Sequence, residues 1–171
     1  MNWFKQGSPT VMFVLAALVG VGGAVGATLF HFLITLSTSL FYSHQSGNNF
    51  IATVESLSIA SRLLIPTLGG LLVGIIFKYA KVTEAEGEGV PEVMEALAHN
   101  RGTIRPVVAP VKIVTAAITL GSGGSAGREG PIIQIGSAIG SSVAQFFKLD
   151  TERKSLLLAA GAAAGIGGSV P

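Results

Sequence analysis

Two short stretches of this sequence carry the residues best suited to chemistry, and in both the chemistry is that of holding an anion. Gly127-Arg128-Glu129-Gly130-Pro131 sets glycines on either side of a carboxylate and leads into an apolar run. Pro131 suits the first turn of a helix, where its missing N–H has no intrahelical partner to lose. Such a start aims several unpaired N–H groups and a partial positive charge at one spot. That suffices for an anion site without a full positive charge, and a weakly held anion can leave again, as conduction requires. Glu129 is itself an anion at that start: it can occupy the site until a halide or a proton displaces it, which is a gate built from electrostatics. Taken alone, an acid in a first turn reads as readily as a simple cap. Gly87-Glu88-Gly89-Val90-Pro91-Glu92 repeats the pattern about forty residues earlier. It is either a second helix start converging on the same anion or an ordinary proline-led turn.

The surrounding elements place these segments at membrane depth. Hydrophobic residues make up 49% of the chain and charged residues 12%, against about 25% charged in soluble domains. The mean hydropathy is +0.64. From Gln6 to Val54 there is no Asp, Glu, Lys or Arg. The apolar run Val11–Tyr42 far exceeds a signal-peptide core of about 7–15 residues and predicts one long, tilted membrane helix. Ser43–Asn49 predicts a turn. A second helix is expected from within Glu55–Ala60 to about Ala80, containing Pro66, with Arg62 snorkelling at its start. Lys5, Lys78 and Lys81 flank these helices, while the connecting loop has no Lys or Arg, so the amino terminus is expected in the cytoplasm.

The remaining elements are shorter. Val90–His99 predicts a helix of roughly ten residues, too short to cross a bilayer. Pro106–Leu120 predicts another, and a run to Phe147 follows Pro131, with Gly136, Ser137, Gly140 and Ser141 on faces suited to close packing. A last helix is expected from near Glu152, carrying Gly161-Ala162-Ala163-Ala164-Gly165. No strand pattern emerges. The fold class is all-α integral membrane, a bundle of tilted full-length and half-length helices. Broken helices at membrane depth are what transporters use to build ion sites.

Other chemistries fail on spacing. A phosphate loop needs a Lys after its last glycine, and Arg128-Glu129 follows Gly127 instead. A dinucleotide fingerprint fails at Ala126. There is no cysteine, the histidines show no metal-ligand spacing, and the net charge of +2 suggests no nucleic-acid partner. Glu55 and Glu92 have no evident acid–base partner. No enzyme, metal or cofactor is read from the sequence; a small anion is the substrate.

The order and spacing of these motifs resemble the CLC family of chloride channels and transporters. That family carries G-S-G-I-P and then G-[KR]-E-G-P, where this chain has Gly87–Pro91 and Gly127–Pro131. Ile132-Ile133-Gln134-Ile135-Gly136-Ser137 and Gly161–Gly165 are similar too. The resemblance covers about Gly87 to Gly165. It implies that Glu129 is the gating glutamate and that backbone amides at Gly127, Arg128, Gly130, Pro131, Ile132 and Ile133 line the anion path. Gly87, Glu88, Gly89, Val90 and Pro91 form the second anion-binding segment. Lys112 matches a lysine near the pathway; it faces protein, water or an ion, or snorkels from a helix end.

The resemblance further implies a gated chloride channel or proton-coupled exchanger, multi-pass in a prokaryotic inner or plasma membrane. Its partners would be a small anion, protons, lipid and a second copy in a homodimer. Residues 1–171 would be the amino-terminal part of the transmembrane domain, the first inverted repeat only and thus a fragment. The other reading is a non-conducting membrane scaffold or regulatory partner. Two local departures stand out. Gly167-Gly168-Ser169-Val170-Pro171 replaces the family's Asn-Ala-Pro type segment, and Glu88 replaces a serine. An ionised carboxylate about 4 Å from an anion costs about 4 kcal/mol at an effective dielectric near 20. A helix terminus offsets only about 0.3–2 kcal/mol. Glu88 is therefore expected to face cytoplasmic water rather than the anion.

Overall fold

The computed structural model describes residues 9–42 and 54–169. Among the described residues, six α-helices of nine residues or more follow one another: α1 (Pro9–Phe41), α2 (Ile59–Ala80), α3 (Val90–Ala98), α4 (Val108–Gly121), α5 (Glu129–Phe146) and α6 (Thr151–Gly167), with a 3₁₀ turn at Thr83–Ala85 between α2 and α3. No strand occurs among the described residues. The turn expected at Ser43–Asn49 falls outside them.

Helix α1 has 33 residues and so runs about 50 Å. Leu15, Val19, Ala27 and Phe30 form its buried stripe, facing α4, α5 and α6. Phe13, Leu18, Val21, Val25 and Phe32 on its other faces are exposed, as lipid contact requires. Helix α2 is 22 residues long, and only Gly69 in it is buried. It leans chiefly on α4. Both helices are long and apolar enough to cross a membrane. Ser58 caps α2, its hydroxyl accepting from the Ser61 N–H at 3.2 Å, which satisfies one orphan donor of the first turn. Arg62 reaches back out of the helix, its Nε donating to the Leu57 carbonyl at 3.1 Å and its terminal nitrogen to that of Glu55.

Helices α5 and α6 meet backbone to backbone. A Cβ built on Gly136 would lie 2.0 Å from the Gly161 carbonyl oxygen, one on Gly161 2.1 Å from that of Gly136, and one on Gly140 2.1 Å from that of Leu157. Only glycine allows this approach, the small-residue packing that holds membrane helices together by van der Waals contact. The small residues expected to mark a packing face do so.

The loop between α3 and α4 is pinned to α5 by two side chains. Ser141 Oγ accepts from the Ile104 N–H at 2.9 Å and donates to the Gly102 carbonyl at 2.8 Å. Gln145 Nε2 donates to the Ile104 carbonyl at 2.7 Å. Ile104 is thereby held in a core with Val82, Ala85, Val93, Ala96, Val108, Ala138 and Leu158. Helix α4 starts at Val108 rather than the expected Pro106, because Arg105 to Val108 closes a turn first, with Val108 N–H donating to the Arg105 carbonyl at 3.0 Å.

These contacts also sort the charges. Arg105 donates to the Lys81 carbonyl at 3.3 Å, and a Cβ on Gly102 would lie 3.0 Å from the Ser155 nitrogen. Lys78, Lys81, Arg101, Arg105, Lys148, Arg153 and Lys154 therefore share one end of the bundle. The start of α1 lies there too, its Leu15 and Val19 packing with Ala144 and Leu149. Arg62 and Arg128, at the starts of α2 and α5, lie away from that end.

Candidate functional site

The two glycine segments, about forty residues apart in sequence, touch. A Cβ on Gly130 would fall 2.1 Å from the Glu88 carbonyl oxygen, and one on Gly89 would fall 2.3 Å from the Gly130 carbonyl oxygen. Gly89 also has φ 111°, a conformation that side-chain-bearing residues rarely adopt. The starts of α3 and α5 thus meet at a point where neither chain has room for a side chain.

Both starts open onto one cavity of about 600 Å³. Gly87, Glu88, Val90, Gly127, Gly130 and Pro131 line it, together with Lys112 from α4. Among the described residues, the backbone N–H groups of Gly127, Arg128, Glu129 and Gly130 have no acceptor in the protein, and neither do those of Gly87, Glu88 and Val90. Pro131 and Pro91 have no N–H to offer. The arrangement is a set of unpaired donors gathered at two helix starts, each with a partial positive charge.

Lys112 is 4% exposed. Its Nζ donates to the Ala85 carbonyl at 3.2 Å and to the Gly87 carbonyl. It is therefore not snorkelling from a helix end; it grips the loop that leads into α3 while also lining the cavity. Thr115 and Thr119, also on the wall, spend their hydroxyl protons on carbonyls of their own helix, at 2.9 Å each.

The other expected residues divide. Glu129 and Arg128 are exposed, and their side chains do not line the cavity. The Glu129 carboxylate folds back toward Gly127, where Oε2 is 3.0 Å from the Cβ position. Ile132 turns its side chain into a core with Phe30, Ile113, Ala117 and Ile135, and Ile133 packs on the core beneath the α3–α4 loop. Pro91 sits in the first turn of α3 off the cavity wall. Glu88 is exposed, and it is among the residues that line the cavity.

Glu92 is the residue the sequence left without a role. It reaches back over the first turn of α3, and its Oε2 accepts from the Gly89 N–H at 2.7 Å. The legible signal was spacing, since an acid three residues after an N-cap can close half of a capping box. Glu92 also lines a second cavity of about 590 Å³, with Glu84, Glu95, Arg105 and Gln134. There Arg105 bonds both carboxylate oxygens of Glu84, one at 2.7 Å. That guanidinium holds the Glu84 carboxyl below the usual carboxylate range. Gln134 Nε2 donates to the Glu84 carbonyl.

Comparison with known proteins identifies the family of the chain. The family model described as voltage gated chloride channel matches residues 69–169. The chain is 32% identical over 159 residues to a putative chloride channel protein ClcB-like of Ralstonia nicotianae, covering 91% of this chain and 36% of that one. It is 35% identical over 175 residues to an H(+)/Cl(-) exchange transporter ClcA of Vibrio vulnificus, covering 96% and 35%. It is 32% identical over 165 residues to the chloride channel protein CLC-e of Arabidopsis thaliana, covering 95% and 22%. The chain spans about a third of the length of these bacterial relatives. No solved structure matches it significantly. The motif order, the meeting of two broken helix starts and the family match lead to one conclusion: this chain belongs to the voltage-gated chloride channel family.

Proposed function

We propose that the chain supplies one wall of a pathway for chloride or a similar small anion across a membrane, multi-pass and with the amino terminus in the cytoplasm. The observation that carries this reading is the contact of the Glu88 carbonyl with Gly130. It brings two helix starts, with their unpaired N–H groups, onto one cavity. Backbone donors in such a place bind an anion without a counter-charge that would trap it. Lys112 adds one buried positive charge on the wall. The cationic end of the bundle holds the start of α1, which by the positive-inside rule is the cytoplasmic end.

Glu129 is the gate in this reading. It belongs to the first turn of α5 and is exposed beside the unpaired donors, free to compete with the anion for them. Its protonation would leave those donors to the anion. This serves a channel and a proton-coupled exchanger alike, and relatives with both names are among those similar to the chain. No cofactor enters; the anion is the cargo.

The test is anion efflux from liposomes holding the protein that carries this chain. Glu129→Gln is expected to retain anion flux while flattening its dependence on pH or uncoupling proton movement. An unaltered pH dependence in that variant would remove Glu129 as the gate, and the absence of anion flux in the parent protein would remove the transport reading itself.

A further inference from the structure

We propose that Ser125, in the loop that leads into α5, is a further ligand of the anion, donating hydrogen bonds from its hydroxyl and its backbone N–H to the cargo in the first cavity. The proposal rests on the anion-pathway reading above and names the side-chain hydroxyl that the pathway uses.

Among the described residues, the hydroxyl-bearing side chains that line this cavity are Thr115, Thr119 and Ser125. Thr115 and Thr119 donate to the Val111 and Thr115 carbonyls of their own helix, at 2.9 Å each. The start of α3 brings no hydroxyl, since its residues on the wall are Gly87, Glu88 and Val90. Ser125 is exposed. Neither its hydroxyl nor its backbone N–H has a partner among the described residues. Two residues further on, Gly127 lines the same cavity with its own N–H unpaired. The loop thus adds a hydroxyl to the backbone donors already gathered at the start of α5.

A donor on a loop serves best when the loop is already held, because less freedom is then lost on binding. The root of this loop is fixed from α1, α2 and α4. Tyr42, just past the end of α1, donates from its hydroxyl to the Ser122 carbonyl at 3.2 Å. The same oxygen lies 2.7 Å from the Cβ position of Gly123, whose φ is 87°. From α2, Gly69 sits against Ser122, where a Cβ would be 2.1 Å from Ser122 Oγ. At the end of α4, the Thr119 carbonyl accepts from the Gly124 N–H at 2.8 Å and from Ser122 Oγ at 3.1 Å. The Ala126 N–H donates to the Gly124 carbonyl at 3.1 Å. Ser125 therefore stands between two amides that are spent, with both of its own donors left over. A charged acceptor makes a hydrogen bond roughly twice as strong as a neutral one, so these donors favour an anion over water. The attraction falls with separation, so losing the hydroxyl costs a compact anion more than a bulky one.

The experiment measures chloride and iodide affinity by titration calorimetry, and the melting temperature in the same detergent, on the full protein that carries this chain. Ser125→Ala is expected to weaken chloride binding about tenfold, the lower figure for a hydrogen bond to a charged group. It is expected to weaken iodide binding less and to leave the melting temperature unchanged, since the side chain is exposed and bonds nothing in the protein. Ser125→Thr, which keeps the hydroxyl, is expected to bind chloride as the parent does. Parental chloride affinity in Ser125→Ala overturns the proposal. So does an equal loss in Ser125→Ala and Ser125→Thr, because the hydroxyl is then not the ligand. A loss shared equally by chloride and iodide, with a lowered melting temperature, also overturns it and leaves Ser125 a structural residue of the loop. In each of these cases chloride binding by the parent protein keeps the anion reading in place. Failure of the parent protein itself to bind chloride overturns that reading and this inference with it.

Discussion

The carbonyl oxygen of Glu88 occupies the space where Gly130 would carry a side chain, 2.1 Å from the Cβ position. Gly89 makes the reciprocal contact with the Gly130 carbonyl at 2.3 Å, on a backbone of φ 111°. Forcing a methyl group into a filled site costs about 1–3 kcal/mol. Gly130→Ala and Gly89→Ala are each expected to lower the melting temperature in detergent and to weaken chloride binding together, since either must part the two helix starts. A fully stable Gly130→Ala protein with parental chloride affinity would show that the contact does not matter to the site.

Lys112 makes a different prediction, because it bonds the loop as well as lining the cavity. Lys112→Met keeps the length of the side chain and removes the donors to Ala85 and Gly87. Bonds to a charged group are worth about 1.5–3 kcal/mol, so the variant is expected to be less stable by that order. It should also bind chloride less tightly, having lost a positive charge on the wall. Thermal melting checks the first effect and calorimetry the second. Loss of affinity with no loss of stability would assign Lys112 to the anion alone.

The α5–α6 interface separates glycines that are needed from glycines that are not. Gly140→Ala would drive its methyl to 2.1 Å from the Leu157 carbonyl oxygen, whereas Gly74 in α2 has nothing within 4 Å. Gly140→Ala is expected to destabilise by about 1–3 kcal/mol. Gly74→Ala is expected to be neutral or to stabilise by up to about 1 kcal/mol, through helix propensity. Melting of both variants in the same detergent decides it, and equal melting temperatures would contradict the close packing.

Glu84 and Arg105 predict a pH effect with a definite sign. Arg105 lowers the Glu84 carboxyl in the folded protein, so the pair stabilises the fold above the unfolded glutamate value of about 4.3. That contribution is lost as the pH falls through the lowered folded value. Both groups are well exposed to water, so the effect is small and screened by salt. Arg105→Met is expected to lower stability slightly at pH 7, and the gap to the parent protein is expected to close on acidification below pH 4. A gap that persists at acid pH would mean that Arg105 acts through its bond to the Lys81 carbonyl instead.

Much of the helical framework was legible because its signals are local. An uncharged run from Gln6 to Val54 dictates α1, glycine–proline pairs mark the starts of α3 and α5, and paired small residues announce the face between α5 and α6. The convergence of Gly89 on Gly130 was expected only from the repeated pattern and the family resemblance; the contact itself depends on how α4 folds back between them. Side-chain direction was the least legible part. Ile132 and Ile133 follow the helical period into the core, neither lines the cavity, and the Ile132 N–H is already taken by the Arg128 carbonyl at 3.2 Å. Lys112 was ambiguous between snorkelling and the pathway because its acceptors, Ala85 and Gly87, are carbonyls that carry no sequence signature. Ser141 and Gln145 were invisible as clamps for the same reason: they bond the backbone of Gly102 and Ile104.

The glycine seam between α5 and α6 constrains how a gate at Glu129 can operate. Carbonyls of one helix sit in the notches of the other, so sliding or tilting α5 would drive backbone oxygens into each other. With Glu129 as the proposed gate, opening and closing would then fall to rotation about the bonds of the glutamate itself, over a helix held against α6. Such a movement would be small and local, and it would leave the lipid-facing outline of the bundle unaltered.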